Sequence, residues 1–472
     1  MRCLFLNLPY PKQVMRRYIC SYNCQSFLFP PMELMYLASI AKEWKQAEAT
    51  LIDAIAERID VKTVSSLIKN LKPDLLVSII GFETFKNDIE NMDFIKQNNP
   101  NLKVVAFGYY PTLFSEEIIN NSDIDMLIRG EPELSFSELY DCLANKEGSI
   151  FEIDGLAFRD DNGDVFVTKP RNRIEDLDIL PFPDYSLVKQ ERYSEPFMKK
   201  PFAVLQSGRG CPFECGYCVK TYGKELAFRT PENVLNELER LILENKTKSL
   251  RFLDDTFTVN KKRVIQICEG ILRRGLEFEW SCLSRVDTLD DEMAFWLHKS
   301  GCVRVLLGVE SGSQNLLDYY GKKYSVEKIK YVSGVLRRSK IETVAWFVVG
   351  GSVESKSDFK KSVQLAKKMK FDFIAISRLC LYPGTPLFEG LRDNVDFYLF
   401  PYRNQFKEKR LERESIEREK AFYFSFYFNF LWVLRIIKFM AKRPKQTILL
   451  AWSLVRFILS QKIESRERKD LL

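Results

Sequence analysis

Residues 202–218 read FAVLQSGRGCPFECGYC. A short apolar run is followed by a glycine-containing turn and then by Cys211, Cys215 and Cys218. The run reads as a buried strand, and the cysteines lie on the loop that leaves it. Three thiolates at C-x-x-x-C-x-x-C spacing can each bind a different iron of a cubic 4Fe–4S cluster, for which Cys is the preferred ligand. The loop holds no fourth cysteine, so one iron lacks a thiolate, and an open metal position is what a catalytic site needs. The competing readings are a zinc site, poorly served by three Cys without a nearby fourth ligand, and three chance core cysteines.

Working outward, residues 196–400 alternate strands with helices. The strands are FAVLQSGRG, SLRFLDDTF, FEWSCLSRV, VRVLLGVE, TVAWFVVGG and FIAISRLCLYPG. Six such units predict a partial (β/α)6 barrel of TIM type, whose chemistry gathers at the C-terminal strand ends. Residues 1–145 show the same alternation with near-continuous apolar strands, which predicts a Rossmann-like, doubly wound parallel sheet. Its Gly-marked turns follow strands, where open α/β sheets bind ligands. Residues 146–195, rich in Asp, Pro and Gly, read as a linker carrying a β-hairpin around DDNGD. Residues 401–472 read as an α-helical extension. Its RNQFKEKRLERESIEREK is a charged, solvated helix, and AFYFSFYFNFLW then packs 8 aromatics into 12 residues.

The chain has 472 residues, which suits two to four domains. Its 11 cysteines, an odd number in a long chain, argue for free or metal-bound thiols in a reducing compartment. MRCLFLNLPYPK lacks the pattern of a signal peptide, and no run of 18 uncharged apolar residues occurs. A cytoplasmic location is expected. The single histidine, His298, rules out imidazole-rich metal sites. It falls at a predicted helix end, where a cation favours the exposed carbonyls.

With these motifs in place, the chain resembles the radical S-adenosylmethionine (SAM) enzymes. In that superfamily SAM chelates the open iron and is cleaved reductively to a 5′-deoxyadenosyl radical, which abstracts hydrogen from a substrate. FLDDTFTVN, LLGVESGSQNLLDYYGKKYS, FVVGGSVESKSDF and LYPGTPLFE narrow the resemblance to the cobalamin-binding branch. FPPMELMYLASIAKE, ATLIDAIAER, FGYYPTLFSEEIIN and DMLIRGEPELSF do so in the first half. Together they cover about residues 1–390. The resemblance implies a 4Fe–4S cluster, SAM and cobalamin, and an electron donor such as flavodoxin or ferredoxin. One departure matters: the Asp-x-His-x-x-Gly of corrinoid domains is here Asp53-Ala54-Ile55-Ala56-Glu57, so histidine ligation of cobalt is excluded.

The expected SAM contacts are Tyr217, Ser284, Arg285, Glu310, Gly350 and Gly351. Arg285 would pair with the SAM carboxylate, Glu310 would hold the ribose hydroxyls, and the glycines would allow a narrow approach to methionine. Asp254 and Asp255 would bind ligand or cap a helix. The expected cobalamin contacts are Gly81, Gly108, Tyr109, Gly130 and Glu131, on the loops Gly81–Phe85, Gly108–Thr112 and Gly130–Glu131. The expected reaction is methylation of an unactivated carbon of a small-molecule or lipid substrate. The alternatives are a radical cyclase, oxidase or rearrangement enzyme without methyl transfer, and a non-catalytic corrinoid or cluster sensor. A further rival is a transfer-RNA methylthiotransferase with a second cluster on Cys3, Cys20 and Cys24, although Cys3 sits in a probable buried strand.

From Ala421 to Ile463 there are seven basic residues (Arg435, Lys438, Lys442, Arg443, Lys445, Arg456, Lys462) and no acidic ones, a charge equal to the net +7 of the whole chain. Arg435, Lys438 and Lys442 share one helical face. Peripheral membrane contact through residues 421–463 is expected, with a helical cap packed on the barrel as its rival and nucleic acid disfavoured.

Overall fold

The structure, a computed structural model, describes residues 1–16, 21–23, 27–160, 162–220, 222–400, 402–429 and 432. Cys20, Cys24 and the basic stretch 433–463 lie outside the described residues.

The first half is built on parallel strands Arg2–Asn7, Glu48–Asp53, Leu75–Ile80, Lys103–Gly108 and Met126–Ile128, with helices between them. In chain order their spatial order is 2-1-3-4-5, the flavodoxin-like arrangement, whose crevice opens between strands 1 and 3. Leu75–Ile80 is buried at every position, as a strand covered on both faces must be. The hairpin read from DDNGD is present: Leu156–Arg159 pairs with Val165–Val167. It also pairs antiparallel with Met126–Ile128, so this sheet continues beyond residue 145.

The second half holds six parallel strands in sequential order: Phe202–Leu205, Ser249–Phe252, Glu279–Arg285, Cys302–Glu310, Glu342–Val349 and Phe373–Arg378. The first and sixth do not pair with each other, so the barrel is open and has two edges. Unpaired edge groups invite pairing with other chains, and buried ones must find partners. On the first edge, the Tyr185 hydroxyl accepts from the Val204 N–H at 2.8 Å and donates to the Val204 carbonyl at 2.8 Å. On the sixth, the Tyr427 hydroxyl accepts from Ile374 N–H at 3.2 Å and donates to its carbonyl at 3.1 Å. The Tyr423 hydroxyl accepts from Ile376 N–H at 3.0 Å. Phenol side chains thus take the place of a neighbouring strand on both edges.

Tyr423 and Tyr427 belong to a helix, Lys409–Tyr427, that joins the charged and aromatic stretches into one element. The charged stretch does not begin as a helix: Arg403–Phe406 is a strand paired with Val395–Tyr398. Five residues of the aromatic run face the barrel. Phe422 and Phe426 are buried, Phe422 lies 4.9 Å from the Phe347 ring, and the Trp432 indole N–H donates to the Asp372 carbonyl at 2.9 Å. In its described part, the aromatic run is therefore largely a cap on the open edge. No described helix is long and apolar enough to cross a membrane.

Tyr427→Phe removes the hydroxyl that bonds both Ile374 edge groups without removing the ring. It should cost about 1 kcal/mol in denaturant unfolding, whereas Phe424→Ser, on the outward face of the same helix, should stay within about 0.5 kcal/mol of the parent.

Candidate functional site

The cysteine loop leaves the first barrel strand through a narrow neck. Gly208–Arg209 pairs antiparallel with Ala227–Phe228. At Gly210, with φ +88°, a Cβ would stand 1.9 Å from the Glu225 carbonyl oxygen, so only glycine fits. Farther round, Gly216 donates to the Tyr320 carbonyl at 3.0 Å and accepts from Leu387 N–H at 2.9 Å, which laces the middle of the loop to later barrel loops. Arg209, fully buried, locks the neck to the first half of the molecule. Its guanidinium donates to Glu131 at 2.7 Å and also to Glu133, and the Tyr222 ring lies 4.7 Å away. Removing one partner of a buried ion pair leaves an uncompensated charge.

The three thiols influence one another. Cys218 keeps exposed surface, yet burial is the first cause that pushes its thiol up to about 12, with Cys215 and Cys211 adding to the rise. Cys211 is also raised by burial, against a backbone hydrogen bond from Phe213 that favours the thiolate. Three thiolates so close need a strong positive charge, which bound iron supplies. Among the described residues no three Cys, His, Asp or Glu side chains converge on a point fit for one metal ion. The chemistry of the loop suits a 4Fe–4S cluster, which Cys211, Cys215 and Cys218 would hold.

Two cations stand at Cys215. Arg285 donates to its sulfur at 3.2 Å, forks onto Asp287 with two 2.9 Å bonds and lies 3.6 Å over the Phe213 ring. Lys322, which the sequence reading missed, is buried, paired with Glu310 at 2.9 Å and 5.5 Å over the Tyr217 ring. Glu310 is aimed there by its backbone: the strand pairing slips between Gly308 and Glu310, and Glu310 takes φ +64°, a bulge that re-aims a side chain. Gly308 makes room for that carboxylate, since a Cβ there would stand 2.7 Å from it. Tyr217 meets the Tyr320 ring edge to face at 5.3 Å.

Other expected contacts are already engaged by the protein. Ser284 bonds the Thr258 hydroxyl at 2.6 Å. Asp254 accepts from Ser207 N–H at 2.6 Å, tying the first two barrel strands together. The closeness that Gly350 permits is used by Ser415 of the C-terminal helix, whose hydroxyl would stand 2.0 Å from a Cβ, and Gly351 meets Leu379 in the same way. Glu131 is held by Arg209 and by Arg173.

The C-terminal strand ends of the two halves face each other. The Tyr109 hydroxyl donates to the Pro383 carbonyl at 2.6 Å, and Cys218 is among the groups raising the Tyr109 pKa. Gly108, at φ +142°, lets the chain pass the Ile80 carbonyl, where a Cβ would stand 2.4 Å away. At Gly130, with φ +78°, no atom lies within 4 Å of where a Cβ would stand. Gly81 donates to the Asp88 carboxylate at 3.0 Å. The crevice between strands 1 and 3 is filled from within: Arg16, fully buried, donates to Asp88 at 2.6 and 3.1 Å and to Asn7 at 3.0 Å. On the barrel-facing side Glu83 accepts from the Tyr382 hydroxyl at 3.3 Å and is raised to about 7 by burial. Of the rival second-cluster cysteines, Cys3 is buried in its strand and raised to about 12 by burial, an inert position. His298 is exposed in the last turn of its helix.

A partial (β/α)6 barrel with three cysteines on the loop after its first strand defines a radical SAM protein. The family model described as the radical SAM superfamily matches residues 205–366. A protein of Pyrococcus horikoshii described as an uncharacterized methyltransferase is 33% identical over 364 residues, covering 76% of this chain and 78% of that one. The anaerobic magnesium-protoporphyrin IX monomethyl ester cyclase of Rubrivivax gelatinosus is 27% identical, covering 85% and 74%. The solved structure of the cobalamin-dependent SAM radical enzyme OxsB with aqua-cobalamin bound superposes with a TM-score of 0.71 at 16% identity, covering 96% of this chain and 71% of that one. The chain belongs to the radical SAM superfamily, and its two-part fold is that of OxsB. Membership implies a 4Fe–4S cluster and SAM, which the cysteine loop suits.

Replacing Cys211, Cys215 and Cys218 by Ala should abolish iron binding and 5′-deoxyadenosine formation. Cys3→Ala should leave the iron content of the parent unchanged, at about four per chain by colorimetric iron assay; a variant with half the iron of its parent would mean a second cluster.

Proposed function

We propose that this chain is a cobalamin-dependent radical SAM methyltransferase that methylates an unactivated carbon of a small-molecule or lipid substrate, with flavodoxin or ferredoxin as electron donor, in the cytoplasm. The observation that carries the reading is the opposition of the two sets of C-terminal strand ends across the cysteine loop, with Tyr109 reaching from one half to Pro383 of the other. The similarity to a methyltransferase over three quarters of the chain supports the choice of reaction. When bound, the cluster and SAM supply a radical that activates the substrate, and cobalamin supplies the methyl group.

The chain's own residues hold and orient these groups. Cys211, Cys215 and Cys218 would bind three irons. Arg285 and Lys322 place positive charge beside Cys215, and Glu310 and Lys322 offer a carboxylate and an ammonium to the polar ends of SAM, with Tyr217 beside them. The loops Gly81–Phe85, Gly108–Thr112 and Gly130–Glu131 would hold cobalamin. The open space over Gly130 and the 42% exposed side chain of Leu113, beside Gly384 of the barrel, fit a large planar ligand. The contact surface is apolar and aromatic, which keeps water from a radical site. Glu83, near neutrality in its titration, lies at the same crevice.

The cyclase similarity over 85% of the chain supports a second reading, radical chemistry without methyl transfer. S-adenosylhomocysteine separates the two: methylation forms it alongside 5′-deoxyadenosine, and a cyclase forms only the latter. Anaerobic, reconstituted protein incubated with reductant, SAM and cobalamin should accumulate both; absence of S-adenosylhomocysteine in the presence of substrate turnover rejects the methyltransferase. Electron paramagnetic resonance of bound cob(II)alamin should show no axial nitrogen from the protein, because residues 1–150 contain no histidine. A protein-derived nitrogen splitting overturns the proposed seat.

A further inference from the structure

We propose that Arg285 is a positioning residue that raises the reduction potential of the cluster, through a charge-assisted hydrogen bond to the sulfur of Cys215, rather than a clamp on the SAM carboxylate. The inference rests on the cluster reading of the cysteine loop and not on methyl transfer. Arg285 ends the third barrel strand and is buried. Its guanidinium is fixed from several sides. Nε and one Nη donate to the two Asp287 oxygens at 2.9 Å each, and the other Nη donates to the Cys215 sulfur at 3.2 Å. The Phe213 ring, on the cysteine loop itself, lies 3.6 Å from the guanidinium carbon, and the Tyr324 ring lies 5.4 Å away. Behind the side chain, the Thr288 hydroxyl donates to the Arg285 carbonyl at 3.1 Å.

This arrangement leaves little of the guanidinium for a ligand. A carboxylate forks onto two parallel N–H groups, and the pair at Nε and Nη is taken by Asp287. What Asp287 leaves is aimed at the sulfur. The other two cysteines have neutral neighbours: the Thr256 hydroxyl stands 3.9 Å from the Cys211 sulfur, and the Val219 carbonyl 3.4 Å from that of Cys218. Reduction adds negative charge that spreads over iron and ligand sulfur. A cationic donor on one sulfur therefore stabilises the reduced cluster more than the oxidised one. Hydrogen bonds to sulfur, local charge and solvent exposure are the protein's means of setting such potentials. A donor with a formal charge is roughly twice as strong as a neutral one, and burial keeps its field from being screened. Asp287 acts in the opposite sense, because its charge offsets part of the guanidinium's. Its side chain is 25% exposed, so solvent weakens that offset.

The test uses the reconstituted full chain without SAM, cobalamin or substrate. Electron paramagnetic resonance counts the reduced cluster at a series of fixed potentials, for the parent, Arg285→Met and Asp287→Asn. Arg285→Met should lower the ratio of reduced to oxidised cluster at least tenfold at a given potential, about 59 mV for one electron. Asp287→Asn keeps an oxygen for the guanidinium but loses the charge, and should raise the ratio several-fold. Iron content should match the parent in both. A potential that neither variant moves overturns the proposal, and it is the result that a clamp on the SAM carboxylate would give. Shifts of the same sign in both variants also overturn it, since loosened packing or entry of water would act alike on the two. If Arg285→Met alone loses iron, Asp287→Asn, which leaves the bond to Cys215 in place, decides by the direction of its shift. A parent that takes up no iron removes the cluster reading and this inference with it. A parent that shows both shifts but forms no S-adenosylhomocysteine loses only the methyltransferase.

Discussion

A parallel sheet of six strands that does not close leaves two rows of backbone groups without partners, and much of the chain outside the barrel answers that constraint. A buried amide or carbonyl with no partner costs about 1–3 kcal/mol, and an exposed edge attracts other chains. The linker supplies Tyr185 to one edge, and the C-terminal helix supplies Tyr423 and Tyr427 to the other. A phenol suits the task because its oxygen both donates and accepts, so one side chain satisfies the N–H and the carbonyl of the same residue.

The same requirement explains where the sequence could be read and where it could not. The cysteine loop, the alternation of strands and helices and the hairpin at DDNGD are local patterns, set by spacing within a few residues, and all of them stand in the structure. The role of the aromatic run was not legible. Phe422 and Phe424 are two residues apart with the same side chain, and one is buried against Phe347 while the other is in solvent. Only the seat of the helix against the barrel tells them apart. Glu131 is a similar case. Read as a strand-end ligand contact, it is bound to Arg209, seventy-eight residues away. Lys322 carried a signal that went unused: it is a lysine in the same motif as Glu310, and a buried lysine needs a nearby acid. Arg16 carried none, because its partner Asp88 lies 72 residues along the same half and neither falls in a recognisable pattern.

The division of labour between the two glycine classes follows from the same distinction. Gly210 and Gly108 are required by backbone crossings within the protein, so a side chain at either would collide with a carbonyl oxygen. Gly130 has a left-handed φ and open space around it. A glycine that relieves a collision reports on the fold. One with open space around it is called for by its left-handed backbone rather than by crowding.

That crevice is polarised. On the barrel side stand the cysteine loop, Arg285 and the Glu310–Lys322 pair, all near Cys215 or Tyr217. On the opposite side the strand ends present Tyr109, Leu113 and open backbone, while the polar groups of that sheet's own crevice, Asn7, Arg16 and Asp88, are consumed in bonds to one another. On the proposed function, a charged ligand would be held from the barrel, and a large apolar or planar one from the Rossmann-like half. Because Arg209 ties the neck of the cysteine loop to Glu131 and Glu133 of that half, the two walls cannot drift apart independently. The same ion pairs hold the cysteine loop in register with the opposite strand ends.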